Sequence, residues 1–432
     1  MSVGCRVLGI VNLKVPLARA CERAAFKSPL CEWIAGLRRG SALAMSAGRG
    51  MIFLFFCVSD FIANAQPQLS SASQISLITC SAGTELYSAF GHSALRVYDP
   101  QNRIDRTYNY GTFDFDQPNF YSNYAKGRPI FMLSVSPTKY FVRAYVYENR
   151  SVFEDVLQLT QAQKQQLFEL LEENYLPENR EYRYDYIYDN CATRIRDILI
   201  KVTNGNIVFD STHIPHPFTF RELMDLYLGQ QPWGDFGIDL ALSSVIDTPT
   251  RPYYYMFLPD YLRQGFQHAK IVEGDSSTPL TKESATIYNA EQEKTEQKYF
   301  APIYIFWLLF LSFLLKTVFD FRKAKISFAA DIVLFALVGL AGIVIAYISF
   351  FSDHHAARNY NLLWAIPTHL IFAALLPFSK KLKWVKNYFF VSAIITSIAF
   401  IGGFTFIPQQ FNAAFYPIMF VLMMRSWVIY KK

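Results

Sequence analysis

The chain has 432 residues, of which 52% are hydrophobic, 17% aromatic and 18% charged, with a net charge of +6. So much apolar material excludes a disordered chain, and its concentration beyond residue 300 excludes a single water-soluble domain, which ordinarily carries about 25% charged residues. The mild positive balance forms no basic stripe, which sets nucleic acid aside as a partner and suits a neighbour of anionic lipid.

Residues 1–44 hold Cys5, Cys21 and Cys31, many basic residues and no periodic pattern. They are expected to be an extension from a start codon placed too far upstream. Residues 45–65 read as a secretory signal peptide. A short basic stretch is followed by the apolar run 51–62 and the small-residue site Ala63-Asn64-Ala65, with cleavage expected after Ala65. An uncleaved anchor is the alternative, although the run is short for a bilayer. Cleavage leaves Cys80 and Cys191 as the cysteines of the mature chain. An exported pair can form a disulfide; unpaired, a thiol calls for another explanation, such as catalysis.

Residues 66–272 predict an α+β exported domain. Strands are expected over 75–80 and 92–98; in the second, His92, Ala94, Arg96 and Tyr98 alternate with Ser93, Leu95 and Val97. Asp99-Pro100-Gln101-Asn102 is turn chemistry, and 104–110 is the returning strand. A simple hairpin about that turn pairs Tyr98 with Arg103, and therefore His92 with Asn109, on one face at a Cβ separation of about 5 Å. A one-residue slip would put them on opposite faces.

A helix is expected over 160–174, capped by Thr160, with Leu167, Leu170 and Leu171 on its buried side. Tyr182, Tyr184, Tyr186 and Tyr188 alternate with Arg183, Asp185, Ile187 and Asp189, a strand pattern. At Asn190-Cys191 the period changes. Ile195, Ile198, Leu199 and Val202 mark the buried face of a helix ending near Asn204-Gly205, with Cys191 in its first turn. His213 and His216 have no ligand-like company, so no metal is expected. Residues 253–258 are rich in aromatics, suited either to the lipid interface or to core packing. Residues 273–301, rich in Glu, Lys, Ser, Thr and Gln, read as a solvated linker or a short exposed helix.

Residues 302–432 predict an all-α five-helix transmembrane domain, with spans 302–319, 327–351, 361–378, 387–407 and 413–430. Arg322, Lys323 and Lys325, then Lys380, Lys381, Lys383 and Lys386, then Lys431 and Lys432 fall on alternate sides, while the remaining two loops hold Arg358. The positive-inside rule puts those lysines and the carboxyl terminus in the cytoplasm and the α+β domain outside the inner membrane. Asp353 and His354 then lie in an external loop within reach of lipid head groups. His369 lies inside the third span, where a neutral hydrogen-bonded imidazole is the plainer reading.

A cysteine at a helix amino terminus meets the positive end of the dipole and unpaired N–H groups, which favour thiolate. The same N–H groups suit an oxyanion formed when the thiolate attacks a carbonyl. His92 is the candidate base, and Asn109 the residue that orients its ring. The plain alternatives are a buried structural thiol and a core histidine. Arg194, one turn beyond Cys191, is a candidate for a lipid phosphate, with Tyr110 as a second substrate-binding residue; a solvated helix charge is the plainer reading of Arg194.

Four runs in order resemble one family: Phe90-Gly91-His92-Ser93-Ala94-Leu95-Arg96, Asn109-Tyr110-Gly111-Thr112-Phe113-Asp114-Phe115, Asp189-Asn190-Cys191-Ala192-Thr193-Arg194 and Met256-Phe257-Leu258-Pro259-Asp260-Tyr261. The chain resembles the Lnb-type lipoprotein N-acyltransferases from about Ile75 to its end, and the loop Asp353-His354 followed by Asn359-Tyr360-Asn361-Leu362-Leu363-Trp364 is similar too. The Asn-Cys pair with an upstream His strand also resembles permuted papain-like (NlpC/P60-related) enzymes, including the lecithin:retinol acyltransferase group. The resemblance implies His92 and Cys191 as the catalytic pair; Asn109 comes from the hairpin register. It implies transfer of an acyl chain from a membrane phospholipid, through a Cys191 thioester, to the α-amine of a diacylglyceryl-cysteine lipoprotein, with no cofactor. Two other readings stay open: an exported cysteine peptidase or amidase acting on peptidoglycan, and a non-enzymatic membrane receptor or assembly protein.

Overall fold

A computed structural model describes residues 67–431 apart from 213, 215, 292–298 and 324–326. The expected extension, the signal peptide, His213, Lys325 and Lys432 lie outside the described residues. In chain order the exported part holds β1 (Gln74–Cys80), β2 (His92–Asp99), β3 (Ile104–Thr112), α1 (Phe120–Ala125), β4 (Ile130–Pro137), α2 (Thr138–Tyr147), β5 (Val152–Leu157), α3 (Gln161–Tyr175), β6 (Glu181–Arg183) and α4 (Cys191–Val202). There follow β7 (Ile207–Val208), α5 (Phe220–Leu228), α6 (Pro232–Ala241), α7 (Pro252–Tyr255), α8 (Pro259–His268), β8 (Lys270–Glu273), β9 (Ser276–Pro279) and β10 (Thr281–Tyr288).

Seven strands form one antiparallel sheet in the order β10-β5-β1-β2-β3-β4-β6. Its central strands are buried on both faces. Ile75, Leu77, Leu95 and Val97 join α3 and α4 through Leu167, Phe168, Leu171, Ile195 and Leu199. On the opposite face Ile78, Cys80 and Ala94 pack with Phe141 of α2. α3 starts at a capping box: Thr160 and Gln163 each accept the other's backbone N–H.

The β2–β3 register differs from the simple hairpin. Leu95 pairs with Tyr108 and Asp99 with Ile104, so the partner of each β2 residue lies two positions further along. Asp99 causes the shift. Its buried carboxylate accepts the N–H groups of Gln101 (3.1 Å) and Asn102 (3.3 Å) and the Ser70 hydroxyl (2.6 Å), and Arg103, at φ 55°, closes a turn displaced by one residue to 100–103. An even shift keeps every side chain on its expected face.

Two expected elements fail. The tyrosine-rich strand ends at Arg183, because the Asp185 carboxylate accepts the N–H groups of Ile187 and Tyr188 (both 2.9 Å) and folds the chain into a turn. The expected linker or helix over 273–301 instead contributes β9 and β10, and β10 pairs with β5 at the edge of the main sheet. Its polarity is that of an exposed edge strand, where charge discourages further pairing.

The membrane part holds α9 (Pro302–Arg322), α10 (Ala329–Phe351), α11 (His369–Leu375), α12 (Lys383–Thr405) and α13 (Phe415–Lys431). Among the described residues α9, α10 and α12 are long and apolar enough to cross a membrane. The expected uninterrupted third span, 361–378, is broken into a 3₁₀ turn, the seven-residue α11 and a second 3₁₀ turn. Pro367 and Pro377 lack the N–H a continuous helix needs. Gly339 and Gly342 of α10 let this irregular backbone approach: a Cβ at Gly342 would strike the Ala365 carbonyl, and one at Gly339 the Leu370 amide. Such a break is tolerated at membrane depth when it is packed inside protein.

An ion cluster inside the bundle has no counterpart in the sequence reading. Fully buried Arg425 bonds Asp331 (2.7 Å) and Asp320 (2.8 Å), while Lys316 bonds the same two carboxylates at 3.2 and 2.7 Å. Two cations meet two anions, joining α9, α10 and α13.

The external loops hold the exported domain. Asp353 pairs with Arg128 (2.7 Å) and Arg183 (2.6 Å), His355 lies 2.9 Å from Asp185, and Asn412 donates to Asp235 (2.7 Å). Asn359 and Asn361 donate to backbone carbonyls of α6 at 2.9–3.2 Å. Phe236 of α6 packs 5.2 Å from Phe306 and 5.1 Å from Phe415. Asp353 and His354, expected near lipid head groups, are engaged with protein instead.

Candidate active site

α4 begins where it does because Asn190 caps it. The Asn190 side chain accepts the N–H groups of Ala192 (2.9 Å) and Thr193 (3.0 Å), and the Thr193 hydroxyl accepts the Asn190 N–H (2.8 Å). Its amide also donates to the carbonyls of Tyr186 and Phe257, both at 2.9 Å. A buried residue with this many partners has one orientation, so Cys191 is fixed as the first residue of the helix.

His92 is the first residue of β2. Gly91 delivers it: at φ +78°, a Cβ there would lie 2.8 Å from the Cys80 carbonyl oxygen, so only glycine turns the chain into the strand without strain. His92 Nε2 lies 2.6 Å from Asn109 Oδ1. The displaced turn takes Asn109 off the position directly opposite His92, and the two side chains bridge the remaining distance. Gly111 lies two residues further along β3. At φ +95° it brings bare backbone against the pair, where a Cβ would sit 3.4 Å from the imidazole Cε1 and 3.5 Å from Cys191 Cβ. The half-buried ring lies over Tyr145 of α2, with centroids 6.2 Å apart and planes 14° from parallel.

The electrostatics of the pair agree with each other. Burial pushes the Cys191 thiol up, but the His92 imidazolium, its hydrogen bond, and the Ser93 and Ala192 N–H groups outweigh it, leaving the thiol below its ordinary value. Burial pushes His92 down, but the Cys191 thiolate and the hydrogen bonds to Cys191 and Asn109 leave it above its ordinary value. With Nε2 turned to the Asn109 oxygen, Nδ1 is the ring nitrogen left over. Both shifts run in the direction that favours a thiolate beside an imidazolium, with the Asn109 amide behind the ring.

Cys80 is the direct β1 partner of His92. Both thiols are free, so the disulfide alternative is not realised. Burial pushes the Cys80 thiol well above its usual range. Of the two sulfurs near this histidine, burial dominates at Cys80, while the imidazole and backbone N–H groups pull the one at the helix terminus the other way.

Arg194 and Tyr110 are not brought to the sulfur with free polar groups. Arg194 bonds both oxygens of Asp189 (2.6 and 2.9 Å) and stacks 3.6 Å above Tyr182. Tyr110 is buried on the face opposite Asn109 and donates to Asn174 at 2.7 Å. Residues 255–258 are core. His216 packs on Phe218. Sequence reasoning missed Gly111, the Ser93 N–H and Tyr145, whose contributions come from backbone and stacking rather than from a reactive residue type.

Two family descriptions match the chain: the Lnb N-terminal periplasmic domain over residues 63–225, and the Lnb transmembrane domain over residues 294–432. No curated protein and no solved structure matches it.

Proposed function

This chain belongs to the Lnb family, a membrane protein with a periplasmic amino-terminal part and a helical carboxyl-terminal domain, and on that premise we propose that it is a cysteine-dependent lipoprotein N-acyltransferase. The observation that carries the reading is Cys191 at the start of its helix beside His92 and Asn109, its thiol held below its ordinary value, in a domain pinned to an apolar helix bundle.

The Cys191 thiolate attacks an ester carbonyl of a membrane phospholipid. As the tetrahedral intermediate collapses, the carbon–oxygen bond breaks and His92 gives its proton to the departing lysophospholipid. A thioester remains on Cys191. The free α-amine of a diacylglyceryl-cysteine lipoprotein then attacks it, His92 takes the amine proton, and the carbon–sulfur bond breaks to return the thiolate. The two half-reactions balance without a cofactor. Asn109 holds the imidazole in the tautomer that presents Nδ1.

The arrangement in the membrane follows the charge pattern. The signal peptide is removed, the α+β domain stands on the outer face, the bundle crosses five times with an irregular third crossing, and the carboxyl terminus is cytoplasmic. The α+β domain, with its Cys–His–Asn site, is a permuted relative of papain-like enzymes.

Replacing Cys191 by Ser in a strain that depends on this protein, then reading lipoprotein amino termini by mass spectrometry, tests the proposal. Loss of N-acylation with stable protein is expected. Unchanged N-acylation defeats the acyltransferase reading, and a lesion in peptidoglycan cleavage instead favours the peptidase.

A further inference from the structure

Both backbone stretches that leave the Cys191–His92 pair carry exposed apolar side chains, and both reach elements packed on the membrane bundle. Ahead of β2, Leu86 and Tyr87 stand in the short 3₁₀ turn Leu86–Ser88, with Tyr87 72% exposed. Leu86 lies against α6, where a Cβ on Gly234 would come within 2.8 Å of Leu86 Cδ1.

Beyond β3, the segment 113–124 carries exposed Phe115, Tyr121 (74%) and Tyr124 (56%). Its rings make an unbroken run inward. Phe113 lies 4.9 Å from Phe115 and 5.1 Å from Phe131, and Phe131 stacks 4.1 Å from Tyr184. Phe131 and Tyr184 pack against the core cluster that contains Cys191. The outer end of the segment is tied to the external loop of the bundle. His354 Nε2 lies 3.0 Å from the Tyr124 carbonyl, and the Asp353 N–H donates to the Lys126 carbonyl at 2.8 Å.

Contiguous exposed aromatics on an exported domain are unfavourable in water. Beside the outer ends of transmembrane helices, amphipathic rings belong in the lipid interface. The patch is continuous with the interface that joins the exported domain to the bundle, which identifies its occupant as lipid rather than a soluble partner.

We propose that the segments 86–88 and 113–124 rest in the outer interface of the bilayer and receive the donor phospholipid, whose acyl chain lies along the Phe113–Phe131–Tyr184 rings to reach Cys191. This inference rests on the acyl-transfer reading for its outcome but has its own readout. The full chain is placed in phosphatidylethanolamine–phosphatidylglycerol vesicles that contain a phospholipid with a diazirine in one acyl chain. It is then irradiated, and the cross-linked peptides are mapped. Cross-links on 113–124 as well as on the bundle are expected; cross-links confined to the bundle overturn the proposal.

The double variant Tyr121→Ser/Tyr124→Ser should form the lipid-derived thioester roughly tenfold more slowly, while iodoacetamide alkylates its Cys191 at the wild-type rate. Thioester formation at the wild-type rate in that variant also overturns it. If alkylation falls as well, the fold has been damaged and the wild-type cross-links decide alone. Cross-links on 113–124 with no thioester on Cys191 retire acyl transfer and leave the lipid surface standing. A thioester without those cross-links does the reverse.

Discussion

Asn109→Ala isolates the residue that orients the imidazole. The substitution removes the acceptor 2.6 Å from His92 Nε2. An unpaired buried donor costs about 1–3 kcal/mol, and because the His92 ring is only half-buried, water can reach part of it and the lower half of that range applies. At 1.36 kcal/mol per decade, about 1–2 kcal/mol corresponds to a loss of roughly 5- to 30-fold in the rate at which Cys191 reacts near neutral pH. The direction of the pH shift is fixed as well. Thiolate and amide together hold the His92 pKa up, so losing Asn109 lowers it, weakens the imidazolium, and moves thiolate formation on Cys191 to higher pH. Alkylation by iodoacetamide, followed from pH 5 to 10 on the full-length protein in detergent, reads both quantities. Asn109→Asp keeps an oxygen acceptor and should retain most of the rate. An alanine variant with the wild-type rate and the wild-type pH midpoint refutes the orienting role.

Asn190→Ala removes a helix cap, worth about 1 kcal/mol, and strands two buried carbonyls at about 1–3 kcal/mol each. The exported domain should lose about 3–7 kcal/mol, measured as the shift in its denaturation midpoint. Asn190→Asp, which keeps the cap acceptor, should lose less. Arg425→Ala leaves Asp320 and Asp331 facing Lys316 alone. Breaking a buried ion pair in this way costs about 3–5 kcal/mol, to be seen as a collapse of folded protein in membranes, whereas replacing all four charged residues by apolar ones of similar size should recover it. Asp225 is pushed up to about 7 by burial and by the neighbouring Asp239 and Asp235 carboxylates. Its folded form therefore holds a proton that the unfolded form releases at lower pH, so this group draws stability down as pH rises from about 4 toward 7. Asp225→Asn should accordingly raise the melting temperature at pH 8 more than at pH 4; an equal shift at both contradicts the assignment.

The membrane half illustrates what hydropathy conveys and what it leaves out. Composition located the apolar helices, because a bilayer demands long apolar runs whatever their neighbours are. The broken third segment depended on two glycines of α10 that open space for irregular backbone, and glycines acquire that meaning only once the facing chain is known. Arg425 passed as one charge inside an apolar run, since its two carboxylate partners lie 94 and 105 positions away. The polar segment at 273–301 carried no clear period, and only pairing with β5 turns part of it into a strand.

At the site, the amino-acid sequence by itself determined the helix that starts at Cys191, the strand that presents His92, and the face on which Asn109 lies. These are local matters of capping and alternation, and alternation survives any even shift of register. Tertiary structure decided the rest. It chose the register through the Asp99 turn, left Cys80 and Cys191 unbridged, committed Arg194 to Asp189 and Tyr110 to Asn174, and laid aromatic segments beside the bundle. Those outcomes depend on which distant groups share a small space, and hydrogen bonds, charge pairs and ring contacts form between neighbours in space rather than along the chain.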